Sequence, residues 1–126
     1  HTIQVKNHPL KSELDDLFYK KEINVLSINS EIIDVIQSEN WKVTKISHEK
    51  KEKEKKLIQR IQGLNQTFNL CILNTKFPIW NIFSKIQFQC IVNESEKNRE
   101  QMDSILKKNN YLSFHNLYIH KEYLLI

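Results

Sequence analysis

The hydrophobic period of this chain switches repeatedly between two and about 3.6 residues, and that switching limits the folds open to it. Ile3 and Val5 alternate as in a short strand. Behind Pro9, which suits a first helical position, Leu10, Leu14, Leu17 and Phe18 stand at i, i+4, i+7 and i+8. Ile23 to Ile28 is apolar and β-branched enough for a buried strand. Asn29 or Ser30 suits the cap of the next helix, with Glu31 and Asp34 complementing its positive end. Trp41 to Ile46 alternates again.

Ser47 suits the cap of a third helix whose first two turns read HEKKEKEKK. Its Glu49–Lys53 and Glu52–Lys56 pairs have the favourable i,i+4 order. An apolar stripe begins only at Leu57 and runs through Ile58 and Ile61 to Leu64, and Gly63 falls where a helix C-cap is wanted. This pattern predicts a helix over 48–62 whose front half projects into water while its rear packs on a sheet. Phe68, Leu70 and Ile72 alternate, Pro78 opens a short apolar segment, and Phe88, Cys90 and Val92 alternate again. Ser95 suits the cap of a helix carrying Met102, Ile105 and Leu106 that ends near Asn109-Asn110. Leu112 to Ile126 reads as two strands of a terminal hairpin. Strands alternating with helices imply parallel pairing with right-handed crossovers, hence an α/β fold with a mostly parallel sheet flanked by helices and a C-terminal antiparallel hairpin. No internal repeat and no Pro/Gly/Ser linker interrupts the 126 residues, so 1–126 reads as a single α/β domain.

Purely apolar runs such as Leu70-Cys71-Ile72-Leu73 fall far short of the roughly 20 residues that span a bilayer, so no membrane partner is expected. No secretory signal pattern is visible, which sets the expectation of an intracellular protein, nuclear or cytoplasmic. His1 in place of an initiator Met fits a processed end, a tag remnant or the edge of an excised domain. Cys71 and Cys90 both fall in β-like apolar runs, where buried free thiols are the expected outcome.

The carboxyl ends of the expected strands read Asn7-His8, Asn29-Ser30, Ser47-His48, Asn74-Thr75 and Asn93-Glu94-Ser95. In open α/β sheets ligands bind beyond such ends, but Asn, Ser and Thr there are equally explained as helix caps. The order of elements resembles that of class I S-adenosylmethionine-dependent methyltransferases. In that family the first strand runs into a glycine-rich turn, the second ends near an acidic residue that holds the cofactor ribose, and a later strand ends in a motif such as Asn-Pro-Pro followed by an aromatic residue. A strand, a helix and an antiparallel hairpin close the fold. Here VLSINSEIIDVIQSENWKVTKIS is similar to the first strand through the second, FNLCILNTKFPIW to the motif-bearing strand, and Ile86 to Ile126 to the closing elements.

The departures fall on the chemistry. Glycines let a backbone take positive φ and approach a cofactor closely, and none follows Ile28. The carboxylate position after the second strand holds Ser47, with Glu49 two residues late. Asn74-Thr75-Lys76-Phe77-Pro78-Ile79-Trp80 keeps an Asn, a Pro and an aromatic residue at altered spacing, and the usual third strand has no segment between Gly63 and Phe68. The resemblance therefore implies a reduced methyltransferase-like layout that binds no cofactor. An active enzyme of this kind would need an atypical pocket around Asn29, Ser30, Ser47 and Asn74.

Other catalytic patterns are missing from the sequence. The five histidines, at 1, 8, 48, 115 and 120, show no CxxC or HxxxH spacing, so no metal site is expected, and there is no P-loop or GxSxG motif. Asp15-Asp16 on a helix does not share a face.

Charge is the strongest positive feature. Lys42 to Arg60 holds eight basic residues against three acids, a surplus larger than the whole chain's +4. Lys50, Lys51, Lys53, Lys55, Lys56 and Arg60 are candidate contacts for RNA or DNA phosphates, and Trp41, Phe77, Trp80 and Tyr111 are candidate stacking surfaces. The same Lys/Glu run also fits a solvated helix face or a charged protein partner. The expectation is a non-catalytic, methyltransferase-like accessory or scaffold module with a protein partner in a nucleic-acid-associated complex. Two alternatives stay open: an active methyltransferase and a pure protein–protein assembly domain.

Overall fold

The computed structural model describes residues 8–77, 79–114 and 117–124. The expected Ile3–Val5 strand lies outside them. In chain order the elements are α1 (Pro9–Leu17), β1 (Ile23–Ile28), α2 (Ile33–Ile36), β2 (Trp41–Ile46), α3 (Glu54–Gln62), β3 (Leu70–Leu73), α4 (Ile82–Lys85), β4 (Cys90–Asn93), α5 (Arg99–Lys108), β5 (Tyr111–Phe114) and β6 (Leu117–His120). The six strands form one sheet in the order β2-β1-β3-β4-β6-β5. The first four are mutually parallel, and β6 runs antiparallel to both β4 and β5. The expected α/β architecture with a closing antiparallel pair is the one observed.

Strand parity sorts the core into two layers. Leu26 and Ile28 of β1, Cys71 and Leu73 of β3 and Ile91 of β4 face Leu57, Ile58 and Ile61 of α3, Ile82 and Phe83 of α4, and Met102, Ile105 and Leu106 of α5. The alternate residues Val25, Leu70, Ile72, Cys90 and Val92 face Leu10 and Leu14 of α1 and Ile33 and Ile36 of α2. Both faces of the central strands are covered, which is why β3 reads as an unbroken apolar run. The same parity settles the cysteines: Leu70 stands opposite Cys90 and Cys71 opposite Ile91, so the two thiols point to opposite faces. Both are free and buried, and burial pushes both thiols well above their ordinary pKa.

Three helix starts differ from expectation, the first being α2, which begins at Ile33 with Ile32 at its N-cap and not directly after Asn29 or Ser30. α3 begins at Glu54, not after Ser47, and residues 47–53 form a turn and loop. No apolar side chain precedes Leu57 in that stretch, and exposed i,i+4 ion pairs are worth only about 0.2–0.5 kcal/mol each, too little to order two helical turns. Glu52 pairs with Arg60 at 2.8 Å instead of with Lys56. Likewise α5 starts at Arg99 rather than directly after Ser95, with buried Asn98 at the N-cap position. The helix ends come closer to expectation. Gly63 is the C-cap of α3, in a right-handed conformation (φ −66°). The left-handed positions fall on Lys20, Asn29, Asn65 and Asn110, with φ between 51° and 72°; asparagine tolerates that region best among non-glycine residues.

The closing hairpin is anchored by aromatic contacts. Tyr111 is fully buried, its hydroxyl accepts from the Phe88 amide at 2.9 Å, and its ring meets His120 edge-on at 4.9 Å between centroids. Tyr118 donates to Asp103 at 2.7 Å, tying β6 to α5 and holding that carboxyl below the usual carboxylate range. Replacing Tyr111 with Phe strands the buried Phe88 amide. Urea unfolding of this variant is expected to show a loss of about 1–3 kcal/mol, and an unchanged midpoint would show that this hydrogen bond does not hold the hairpin.

Candidate functional site

The carboxyl ends of the parallel strands form one rim, and its geometry is governed by the turn after β1. Asn29 takes φ 55°, the conformation a glycine would supply in a cofactor-binding turn. Its side chain then bridges to the exit of β2: Nδ2 donates to the His48 carbonyl at 2.9 Å and Oδ1 accepts from the His48 amide at 3.0 Å. The next amides are also satisfied from within the chain. Ile33 N–H donates to Ser30 Oγ at 3.1 Å. Glu31 and Ile32 N–H donate to Glu94 Oε1, just beyond β4, at 3.1 and 3.3 Å. The other carboxylate oxygen of Glu94 is buried with no hydrogen-bond partner among the described residues.

These contacts bear directly on the candidate pocket of Asn29, Ser30, Ser47 and Asn74. Asn29 and Asn74 line a cleft of about 680 Å³ together with His48, Lys50, Lys76 and Phe77. Ser30 and Ser47 are not among its lining residues; the Ser30 hydroxyl accepts from the Ile33 amide, and the Ser47 carbonyl accepts from Arg60 at 2.9 Å. Asn74 also lines a second cleft of about 410 Å³ with His8, Glu31, Glu94 and Arg99. The residues present do not fit S-adenosylmethionine in the usual manner. A carboxylate of this chain stands against the turn amides, an asparagine side chain bridges the turn to β2, and the exit of β2 carries Ser47 in place of a carboxylate. Among the described residues, no three His, Cys, Asp or Glu side chains gather in a metal-holding group, and His115 lies outside those residues.

Glu94 and Asn98 are the residues that sequence reasoning missed. Asn98 Nδ2 donates to the Thr75 carbonyl at 3.0 Å, and Thr75 Oγ1 donates to the Phe77 carbonyl at 2.7 Å, so the loop after β3 is held from α5. The only signal of Glu94 was its position just past a buried strand, because its partners lie 62 and 63 residues away in the chain.

The basic candidates separate into two groups. Lys51, Lys53, Lys55, Lys56 and Arg60 share a broad depression of about 890 Å³, while Lys50 belongs to the Asn29–Asn74 cleft. All five lysines are exposed. Arg60 is engaged: Nη1 meets both Glu52 carboxylate oxygens at 2.8 Å as well as Ser47 O, stapling the 47–52 loop to α3. Of the four candidate stacking rings, Trp41 and Tyr111 are core residues, 7% and 0% exposed, and are withdrawn from that role. Phe77 and Trp80 remain at the surface.

Glu94→Ala removes one exposed and one partly buried hydrogen bond to a carboxylate, of which the partly buried one is worth about 1.5–3 kcal/mol, while relieving one unpaired buried oxygen. A net loss of about 2 kcal/mol in denaturant unfolding is expected, with Glu94→Gln losing less; equal stability of all three proteins would show that the carboxylate does not fasten the turn. No protein family, curated protein or solved structure matches the chain, so the rim's own geometry carries the functional reading.

Proposed function

We propose that this chain is a non-catalytic α/β module, methyltransferase-like in layout, that serves as an accessory or scaffold domain within an intracellular assembly handling nucleic acid. The observation that carries the non-catalytic part is the Glu94 carboxylate on the Glu31 and Ile32 amides. Turn amides at a strand end are where an α/β fold receives an anionic or ribose-bearing ligand, and here an internal anion stands in that position. The layout is supported by the succession β1, turn, α2, β2, then β3 with the 74–80 loop, then β4, α5 and the antiparallel pair.

The nucleic-acid part rests on Lys50, Lys51, Lys53, Lys55 and Lys56, which are exposed and have no carboxylate partner among the described residues, whereas Arg60 and Glu52 neutralise each other. Lysines so disposed attract phosphates in a salt-dependent, sequence-independent way. A protein partner is supported by Leu112 and Phe114, which stand exposed on the edge strand β5. A second reading, an active enzyme with an atypical pocket, is favoured by one feature: Glu49 lines the same cleft as Asn29 and Asn74.

Calorimetry with S-adenosylmethionine separates the two readings. The first expects no binding heat, and saturable binding at micromolar concentration would overturn it. For the lysine face, RNA and DNA affinities measured across a salt series are expected to fall steeply with salt. With all five lysines changed to Glu, the log–log slope should flatten by several units, at about 0.9 per lost phosphate contact on duplex. Unchanged affinity and slope in that variant would remove nucleic-acid contact through this surface.

A further inference from the structure

Four bulky aromatic side chains are candidate stacking surfaces by composition, yet only two reach solvent, and both belong to one loop. Phe77 is 42% and Trp80 57% exposed, on either side of Ile79, which is 1% exposed and anchors the loop in the core. The loop is fastened at both ends. Thr75 and Asn98 hold its start, and the Glu54 carboxylate accepts from the Asn81 and Ile82 amides at 2.7 and 2.9 Å beyond its end. Glu54 is the first residue of α3, so the aromatic loop is hydrogen-bonded to the segment that carries Lys53, Lys55 and Lys56. Two large apolar rings kept in water on either side of a buried Ile79 are a surface prepared for a flat partner.

The charges beside the rings are sorted. The lysine depression holds Lys51, Lys53, Lys55 and Lys56 with Glu49 and Glu52, and Glu52 is neutralised by Arg60. The adjoining cleft, which shares Glu49 as a wall, contains Phe77, with Lys50, Lys76 and Lys97 offset by Glu31, Glu49, Glu94 and Glu96. A phosphate is attracted more strongly to the first than to the second, where carboxylates offset Lys50, Lys76 and Lys97, whereas an uncharged base meets no such barrier beside Phe77. Resting on the nucleic-acid reading above, we infer that this face binds single-stranded nucleic acid. Phosphates follow Lys51, Lys53, Lys55 and Lys56, while unpaired bases turn into the neighbouring cleft and stack on Phe77, and Trp80, exposed three residues further on outside that cleft's lining, offers a second ring. A duplex satisfies the lysines but keeps its base faces stacked inside the helix and offers the rings nothing. Neither stacking nor phosphate contact needs the 2′-hydroxyl, so the shared chemistry is an unpaired strand, RNA or DNA.

The test uses the whole chain and fluorescence anisotropy with labelled single-stranded RNA and DNA of about 12 nucleotides, within the site sizes typical of such grooves, and with the matched duplexes. Single strands are expected to bind roughly tenfold or more tightly than duplexes. Phe77→Ala and Trp80→Ala should each weaken single-strand binding about tenfold and leave duplex binding unchanged, because stacking is worth about 1–3 kcal/mol per base. Both side chains are largely solvated, and an unchanged circular dichroism spectrum verifies that each variant is folded. The tighter of the RNA and DNA arms identifies the strand's chemistry. Equal affinity for single strand and duplex, or aromatic variants that bind single strands like the parent, overturns this inference and leaves the lysine–phosphate reading standing. Absence of binding to every oligonucleotide overturns both.

Discussion

The amides of Glu31, Ile32 and Ile33, at the exit of β1, need acceptors, and the chain provides all of them itself. Left unpaired, the partly buried Ile32 and Ile33 amides would each cost about 1–3 kcal/mol, while the exposed Glu31 amide would turn to water. Glu94 and Ser30 prevent that, and Asn29 adds a two-bond bridge to His48. The exits of β2, β1 and β4 are thereby fastened to one another by side chains, with the β3 exit joined through the Asn74 amide to the Ile28 carbonyl at 2.9 Å. At this end of the sheet the turn amides and strand exits are tied to one another by internal hydrogen bonds, with clefts left on either side of Asn74.

Beside the rim the chain also presents a charged and aromatic surface. The stretch after β2 cannot run on as helix because nothing apolar holds it before Leu57, so it lies as a loop stapled by Arg60 and Glu52. That leaves its lysines pointing outward beside a loop that carries Phe77 and Trp80. Glu54 couples the two, capping the amides of Asn81 and Ile82 while opening α3. Charge and aromatic surface thus meet through one carboxylate.

The alternation of strands and helices was readable because parallel strands buried on both faces produce apolar runs, and amphipathic helices such as α5 repeat Met102, Ile105 and Leu106 at helical spacing. Helix starts were less readable. HEKKEKEKK carries favourable local pairs, but the outcome depended on Asn29 and Arg60, which reach the segment from elsewhere in the chain. The aromatic residues show the same limit. Trp41 and Tyr111 resemble Phe77 and Trp80 in type, yet Tyr111 packs in the core against Phe83, where the Phe88 amide satisfies its hydroxyl. Glu94 was invisible as a functional residue for a related reason: no local pattern signals a contact with the turn after β1.

The central claim is that Glu94 holds the turn amides that a ligand would otherwise use. Residue-resolved amide hydrogen exchange tests it most directly, because exchange requires those hydrogen bonds to open. Slowed exchange is expected at Glu31 and Ile32 in the parent protein, with loss of that protection in Glu94→Ala. Exchange at the rate of an unstructured peptide at both amides in the parent protein would contradict it.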